Sequence, residues 1–166
     1  MFIIFFLLIA VRPLLLYANS RFTNSRAKGV LDAGLAECSV RPNCFCRNHF
    51  YGDNTFDAEK LTETARQHWS TLLEAVARLP RTTVVKAEDN YVHYEARSFY
   101  FGFIDDLELF HNEGDSCIYF RSESRVGYSD LGVNERRITK LIQELNSPTA
   151  DHTFLPNSQP NCQTLD

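Results

Sequence analysis

The chain has no basic excess. Its 17 lysines and arginines stand against 21 aspartates and glutamates, giving a net charge of -4 and a pI near 5.7. The broad cationic footprint of a nucleic-acid binder is therefore missing, and nucleic acid is not expected as a partner. A bilayer-spanning run is missing too: the apolar stretch from Met1 to Tyr17 is shorter than the ~20 residues a transmembrane helix needs, and Arg12-Pro13 interrupts it. There is no internal repeat and no Gly-x-Ser-x-Gly nucleophile elbow. The isolated His68, His93, His111 and His152 show neither metal nor triad spacing. No cofactor is expected from these patterns.

What is present suffices for one core. Of 166 residues, 44% are hydrophobic and 13 are phenylalanine, enough for a single domain. The apolar start followed by the small residues Ala18-Asn19-Ser20 reads as a signal peptide, with a membrane anchor as its competitor. Against the anchor, Arg12 at membrane depth would cost roughly 2.5–3.5 kcal/mol. Against the signal, the segment has no basic residues at its beginning. The expected organisation is residues 1–20 as signal peptide or anchor, 21–37 as a polar linker, 38–146 as one domain and 147–166 as a mobile, Pro- and Ser-rich tail. The expected location is the secretory route, secreted or membrane-anchored.

Five cysteines, Cys38, Cys44, Cys46, Cys117 and Cys162, leave one unpaired if the others form disulfides. Cys38 is expected to bond Cys44 or Cys46; zinc is the weaker alternative, because the cluster lacks a second, well-spaced ligand pair. Cys117 falls in a strand and reads as a small buried hydrophobe.

Leu61, Ala65, Trp69, Leu72, Val76 and Leu79 recur at spacings of four and three, one face of a helix with Asp57 as cap and Pro80 as stop. Ile138, Leu141, Ile142 and Leu145 mark a second helix ahead of Pro148. Between them lie four strand-like runs near Thr82–Glu88, Tyr91–Ser98, Phe103–His111 and Cys117–Ser124. The order α-β-β-β-β-α predicts an α+β domain, a four-stranded antiparallel meander with both helices on one face. Matching apolar with apolar pairs Leu109 with Ile118 and Leu107 with Phe120, which sets Asp105 opposite Ser122 and Asp106 opposite Arg121. The second and third runs pair Tyr94 with Leu107 and Glu95 with Asp106.

This alignment turns Asp105 and Asp106 to opposite faces, so they do not form a carboxylate dyad. Asp105 interrupts the apolar set Phe103, Leu107 and Leu109 and needs a partner, with Ser122 and Ser124 nearest. On the other face Glu95, Arg97, Asp106 and Arg121 converge, surrounded by His93, Glu108, Tyr119 and Glu123. That face is either a solvated lattice of ion pairs or one wall of a polar pocket. Beyond the last strand, Arg125-Val126-Gly127-Tyr128-Ser129-Asp130-Leu131-Gly132-Val133-Asn134 joins glycines to residues that cap helices, beside Arg137. A helix start there attracts an anion, unless Asp130 occupies the position itself. Candidate ligand-binding residues are Arg97, Asp105, Asp106, Arg121, Ser122, Ser124, Arg125, Tyr128, Ser129, Asp130, Asn134 and Arg137.

The stretch Arg121–Asn134 followed by Arg137-Ile138 resembles the signature of domain-of-unknown-function family 1499. Arg41-Pro42-Asn43-Cys44 is similar to that family's Pro-Asn-Cys element, Gly102-Phe103-Ile104-Asp105-Asp106 to its glycine-led Asp pair, and Arg81 follows the first helix as in family members. Phe45-Cys46 departs from the small hydroxyl residues usual there. The resemblance implies an α+β domain in cell-envelope or plastid contexts, often behind an export signal, with no catalytic residues to carry over. Three functions follow as expectations: a non-catalytic binding or interaction domain with the signature turn and Arg97, Arg121 and Arg125 as an anion-facing surface, whose partner is a small anion or a protein, with membrane association through the N-terminal segment; a hydrolase using Asp105 or Asp106 with a signature serine; or a structural charge network.

Overall fold

A computed structural model of the chain describes residues 23–32, 34–50, 58–114 and 116–145. The signal or anchor segment, the Asp57 cap and the polar tail lie outside these residues. The described elements are β1 (Val30–Leu31), β2 (Gly34–Leu35), β3 (Cys44–Phe50), α1 (Ala58–Ala77), β4 (Thr82–Ala87), β5 (Tyr91–Arg97), β6 (Ile104–Asn112), β7 (Cys117–Ser124) and α2 (Val133–Leu145). The fold is α+β, with the expected meander running through β4, β5, β6 and β7. The main sheet nevertheless has five antiparallel strands in the order β3-β7-β6-β5-β4, and β1 and β2 form a second, two-stranded sheet. The expectation of four strands is corrected by β3, which adds to the free edge of β7. Its Cys, Arg and Asn residues are weak strand signals, but its alternation sends Phe45 to the helix side.

Both helices cover one face. Leu72, Ala75 and Val76 of α1 and Ile138, Leu141 and Leu145 of α2 bury against Val92, Tyr94, Leu107, Leu109, Ile118 and Phe120. Each aliphatic side chain so buried contributes roughly 1.5–3 kcal/mol, and the helical and strand periods bring these residues together.

The β5–β6 register is as expected, Tyr94 opposite Leu107 and Glu95 opposite Asp106. The β6–β7 register is shifted by two residues: Leu109 faces Phe120, Leu107 faces Ser122, Asp105 faces Ser124, and Arg121 sits opposite Glu108 instead of Asp106. A two-residue slip keeps every side chain on its face. The turn explains it. Closing the hairpin over Glu113-Gly114 alone would need φ > 0 at Glu113 in either of the favoured two-residue turns, a position that suits glycine and not glutamate. The chain instead turns between Asn112 and Cys117, with Ser116 in the left-handed region at φ 55.

Over its central strands β5, β6 and β7 the second face of the sheet is neither wet nor open, while Cys46 of β3 and Lys86 of β4 at its edges are exposed. Residues 23–39, composed like a linker, run across it as a strap. Ser25 and Arg26 contact Asp106, Lys28 and Gly29 contact Glu108, and Leu35 of β2 packs on Tyr91, Phe110, Cys117 and Tyr119. Gly34 lies so close to Tyr119 that an added Cβ would come within 3.2 Å of its ring. The charged face, expected as either a solvated lattice or one wall of a polar pocket, is there a buried layer.

Candidate functional site

Two polar clusters hold the candidate residues, one on each face, as the opposite directions of Asp105 and Asp106 require. On the helix face, Asp105 accepts from Ser124 Oγ at 2.6 Å and from Arg137 Nη2 at 2.7 Å. Arg137 also donates to Ser122 Oγ at 2.9 Å and to Asn134 Oδ1 at 2.6 Å, and Ser122 Oγ donates to the same Asn134 oxygen at 2.6 Å. The Asn134 amide donates in turn to Ser124 Oγ and to the Asn43 carbonyl, both at 3.0 Å. Asn43 closes the knot by donating to the Gly127 carbonyl at 2.8 Å. Gly127 is held at φ 91, a conformation that favours glycine at this sharp exit from β7.

Asn43 was quoted in the sequence as a family element and not as a site residue. Its burial between β7 and the following turn shows why the Pro-Asn-Cys and Arg/Ser segments belong together. Asp105→Ala strands Ser124 and Arg137 in a nearly closed space, so we expect a loss of about 1–3 kcal/mol in urea denaturation, with only part of it restored in Asp105→Asn, whose amide keeps one acceptor oxygen and sets a donor in place of the other. A neutral Asp105→Ala would show that the knot carries no stability.

On the strap face the charges form two runs. In the first, Arg125 grips Asp106 with a fork, Nε to Oδ2 at 2.9 Å and Nη2 to Oδ1 at 2.8 Å, and reaches Glu95 at 2.6 Å. Arg97, half-buried, holds the other oxygen of Glu95 at 2.8 Å. His93 Nε2 lies 2.7 Å from Asp106 Oδ1, and the strap adds Ser25 Oγ at 2.9 Å and the Arg26 amide at 2.7 Å. Burial alone would push the Asp106 carboxyl up, but donors from Arg125, His93, Arg26 and Ser25 hold it well below the usual carboxylate range. The bond to Asp106 likewise raises the Arg125 guanidinium, against the opposing effect of burial.

In the second run, Arg121 is fully buried, at 0% exposure. It bonds Glu108 at 2.8 Å, Glu123, and the strap carbonyl of Arg26 at 2.9 Å. Glu108 also accepts the amides of Lys28 and Gly29, at 3.0 and 2.7 Å, and the Tyr91 hydroxyl at 2.9 Å. Burial, then the adjacent Glu108, keep the Tyr91 phenol protonated far above its ordinary range. Ser39 Oγ donates to Glu123 at 3.4 Å.

The turn into α2 is closed by its own side chains. Asp130 accepts the amides of Gly132 at 3.0 Å and Asn134 at 2.6 Å, and Ser129 Oγ accepts that of Leu131 at 3.2 Å. Asp130 thus takes the place an anion would have, the alternative its position allowed. Tyr128 is exposed. Sequence reasoning brought the Asp, Ser and Arg residues to the correct faces but left out the strap. Beside the Ser25 and Ser39 hydroxyls and the packed Leu35, its contacts to the charges are made by backbone amides and one carbonyl, for which residue identity gives no signal.

Cys38 bonds Cys44, Cys117 is also disulfide-bonded, and Cys46 is a free, exposed thiol. The choice left open between Cys44 and Cys46 falls to Cys44, and Cys117 is a buried disulfide partner as well as a small core residue. Among the described residues no helix is long and apolar enough to cross a membrane, and no group of three or more His, Cys, Asp or Glu could hold a metal ion.

No curated protein matches the chain. A family model described as "Protein of unknown function (DUF1499)" matches residues 34–145, the span that contains the knot and the sheet side chains of both charge runs but not the strap residues Ser25 to Gly29 that meet them; the chain belongs to that family.

Proposed function

We propose that the chain is a non-catalytic interaction domain of an exported or membrane-associated protein, in which the signature arginines and carboxylates are the frame and not the binding surface. One observation carries this reading: each candidate carboxylate is engaged by partners from within the chain. Asp105 is held by Ser124 and Arg137, and Asp106 by Arg125, His93, Ser25 and the Arg26 amide. An acid–base residue needs a path to a substrate proton and a pKa near the working pH, whereas the environment of Asp106 drives its carboxyl far below that. The arrangement of Ser25, Asp106 and His93 also differs from a hydrolase triad. The carboxylate stands between serine and histidine, so no imidazole is placed to take the serine proton.

The disulfides at Cys38–Cys44 and Cys117 support an oxidising compartment, and hence export. The anion-facing role considered for Arg97, Arg121 and Arg125 is not part of the proposal, because Arg121 and Arg125 lie beneath the strap with their charges matched by Glu108, Glu123, Asp106 and Glu95.

The test is direct. The intact protein is incubated with chromogenic ester, phosphate and glycoside substrates, and its melting temperature is followed in phosphate, citrate and acetate. The proposal expects no turnover and no saturable rise in melting temperature. Turnover abolished by Asp105→Asn or Asp106→Asn would establish a hydrolase, and a saturable anion-dependent rise would establish a ligand site.

A further inference from the structure

Eleven large hydrophobic side chains are exposed among the described residues: Val30, Leu31, Val40, Val84, Val85, Phe99, Tyr100, Phe101, Tyr128, Leu131 and Val133. Seven of them, Val40, Phe99, Tyr100, Phe101, Tyr128, Leu131 and Val133, gather at one end of the sheet although they come from three separate segments. The register places them there. Arg97 pairs with Ile104, so the Phe99-Tyr100-Phe101 loop projects beyond that pair. The Arg125 amide bonds the Ile104 carbonyl at 3.0 Å, so Tyr128, Leu131 and Val133 follow at the same end. Cys44 pairs with Glu123, which brings Val40 there as well. Tyr100 is 85% exposed and Leu131 84%.

A second observation concerns where the chain enters the fold. The strap meets Asp106 with Ser25 and Arg26, then Glu108 with Lys28 and Gly29, then the Phe110 and Tyr119 region with Leu35. It therefore runs along β6 away from Ile104, and the residues before Ser25 leave from the end that carries the exposed aromatics. Seven residues separate Ser25 from Tyr17, the close of the apolar stretch. Fully extended they reach ~25 Å.

We infer that this end of the sheet is a membrane-docking rim, whose occupant is the lipid–water interface of a bilayer, to which the apolar Met1–Tyr17 segment would tether the domain where it is retained as the anchor that competes with the signal-peptide reading. The chemistry fits that occupant. Tyrosine suits the headgroup level and Phe and Leu the acyl boundary beneath it. Arginines flank the tips: Arg81 lies over the Phe99 ring at 5.2 Å from its centroid, and Arg41 and Arg136 are exposed nearby. Against them stands exposed Glu135, while Asp130 is turned into the start of α2. Apolar tips projecting from several loops suit a soft planar surface better than a shaped protein groove.

The inference rests on the interaction-domain reading and can fail separately from it. Turnover would overturn that reading, whereas the docking rim is read by depth-dependent quenching. The probe is the full chain in phosphatidylcholine–phosphatidylglycerol vesicles whose acyl chains carry bromine. The wild type reports through Trp69, its one tryptophan, which bonds the Asp89 carbonyl and stacks on His111 at the far end of the sheet. Trp69 emission is expected to be unchanged by the brominated lipid. Tyr100→Trp adds an indole at the rim, whose emission should shift to shorter wavelength and be quenched. Leu131→Trp, on an independent loop, should do the same and covers the case in which the first variant fails to fold. Unquenched emission at both added positions, equal quenching of Trp69, or no association with the vesicles would each overturn the docking rim.

Discussion

Arg121→Ala is expected to lose about 3–5 kcal/mol of stability, the loss typical when one member of a buried ion network is removed. The guanidinium has no exposure to water, and its loss leaves Glu108 and Glu123, diagonal neighbours across β6 and β7, without a cation. The strap suffers too, because the Arg26 carbonyl loses its donor. The loss reflects stranded carboxylates more than the net worth of the pairs, and a second variant separates the two. Arg121→Met combined with Glu108→Gln and Glu123→Gln removes the charges together and should recover most of the stability, since the glutamine oxygen still accepts from Tyr91 and the strap amides. Urea midpoints at constant slope measure both. A loss below about 1 kcal/mol in Arg121→Ala, as for an exposed pair, would mean that water reaches this layer.

Arg125→Ala should cost about 3 kcal/mol, since it takes the guanidinium fork from buried Asp106, leaving it only His93, Ser25 and the Arg26 amide, and leaves Glu95 with Arg97 alone. An arginine kept for a ligand would instead be removed at little cost. The pH dependence adds an independent check. The folded-state Asp106 carboxyl is depressed from its ordinary 3.8, so its contribution is complete above that value and is lost as the pH falls through and below it. Without Arg125 fewer donors hold the carboxylate, the folded pKa moves up toward the unfolded one, and this acid-side loss becomes smaller. Denaturation midpoints followed from neutral pH into the acid range test both signs; an unchanged acid limb in Arg125→Ala would contradict the pairing.

The faces of this sheet were legible because side chains alternate: Asp105 and Asp106 part company whichever register is chosen. The register of β6 and β7 was not, because Leu107, Leu109, Ile118 and Phe120 remain on the helix side after a two-residue slip, and apolar matching cannot tell the two apart. Turn chemistry at Glu113-Gly114 could have done so. The fifth strand escaped notice because Cys44–Phe50 is rich in residues with weak strand preference. The burial of the charged face was hidden for a different reason. Nothing in Ser25-Arg26-Ala27-Lys28-Gly29 resembles a core segment, yet its amides meet two carboxylates that would otherwise need water. A polar stretch can cover a charged sheet face by hydrogen bonding alone, without any hydrophobic pattern to announce it.

The closed charged layer beneath the strap is tested most directly by native-state hydrogen exchange at single residues. The amides of Arg26, Lys28 and Gly29 donate to Asp106 and Glu108 at 2.7, 3.0 and 2.7 Å. They should be protected alongside the β6 amides, exchanging only when the strap and sheet open together. Exchange of these three amides at the rate of free peptide, while β6 stays protected, would show that the strap is not held and that the polar face is open to solvent.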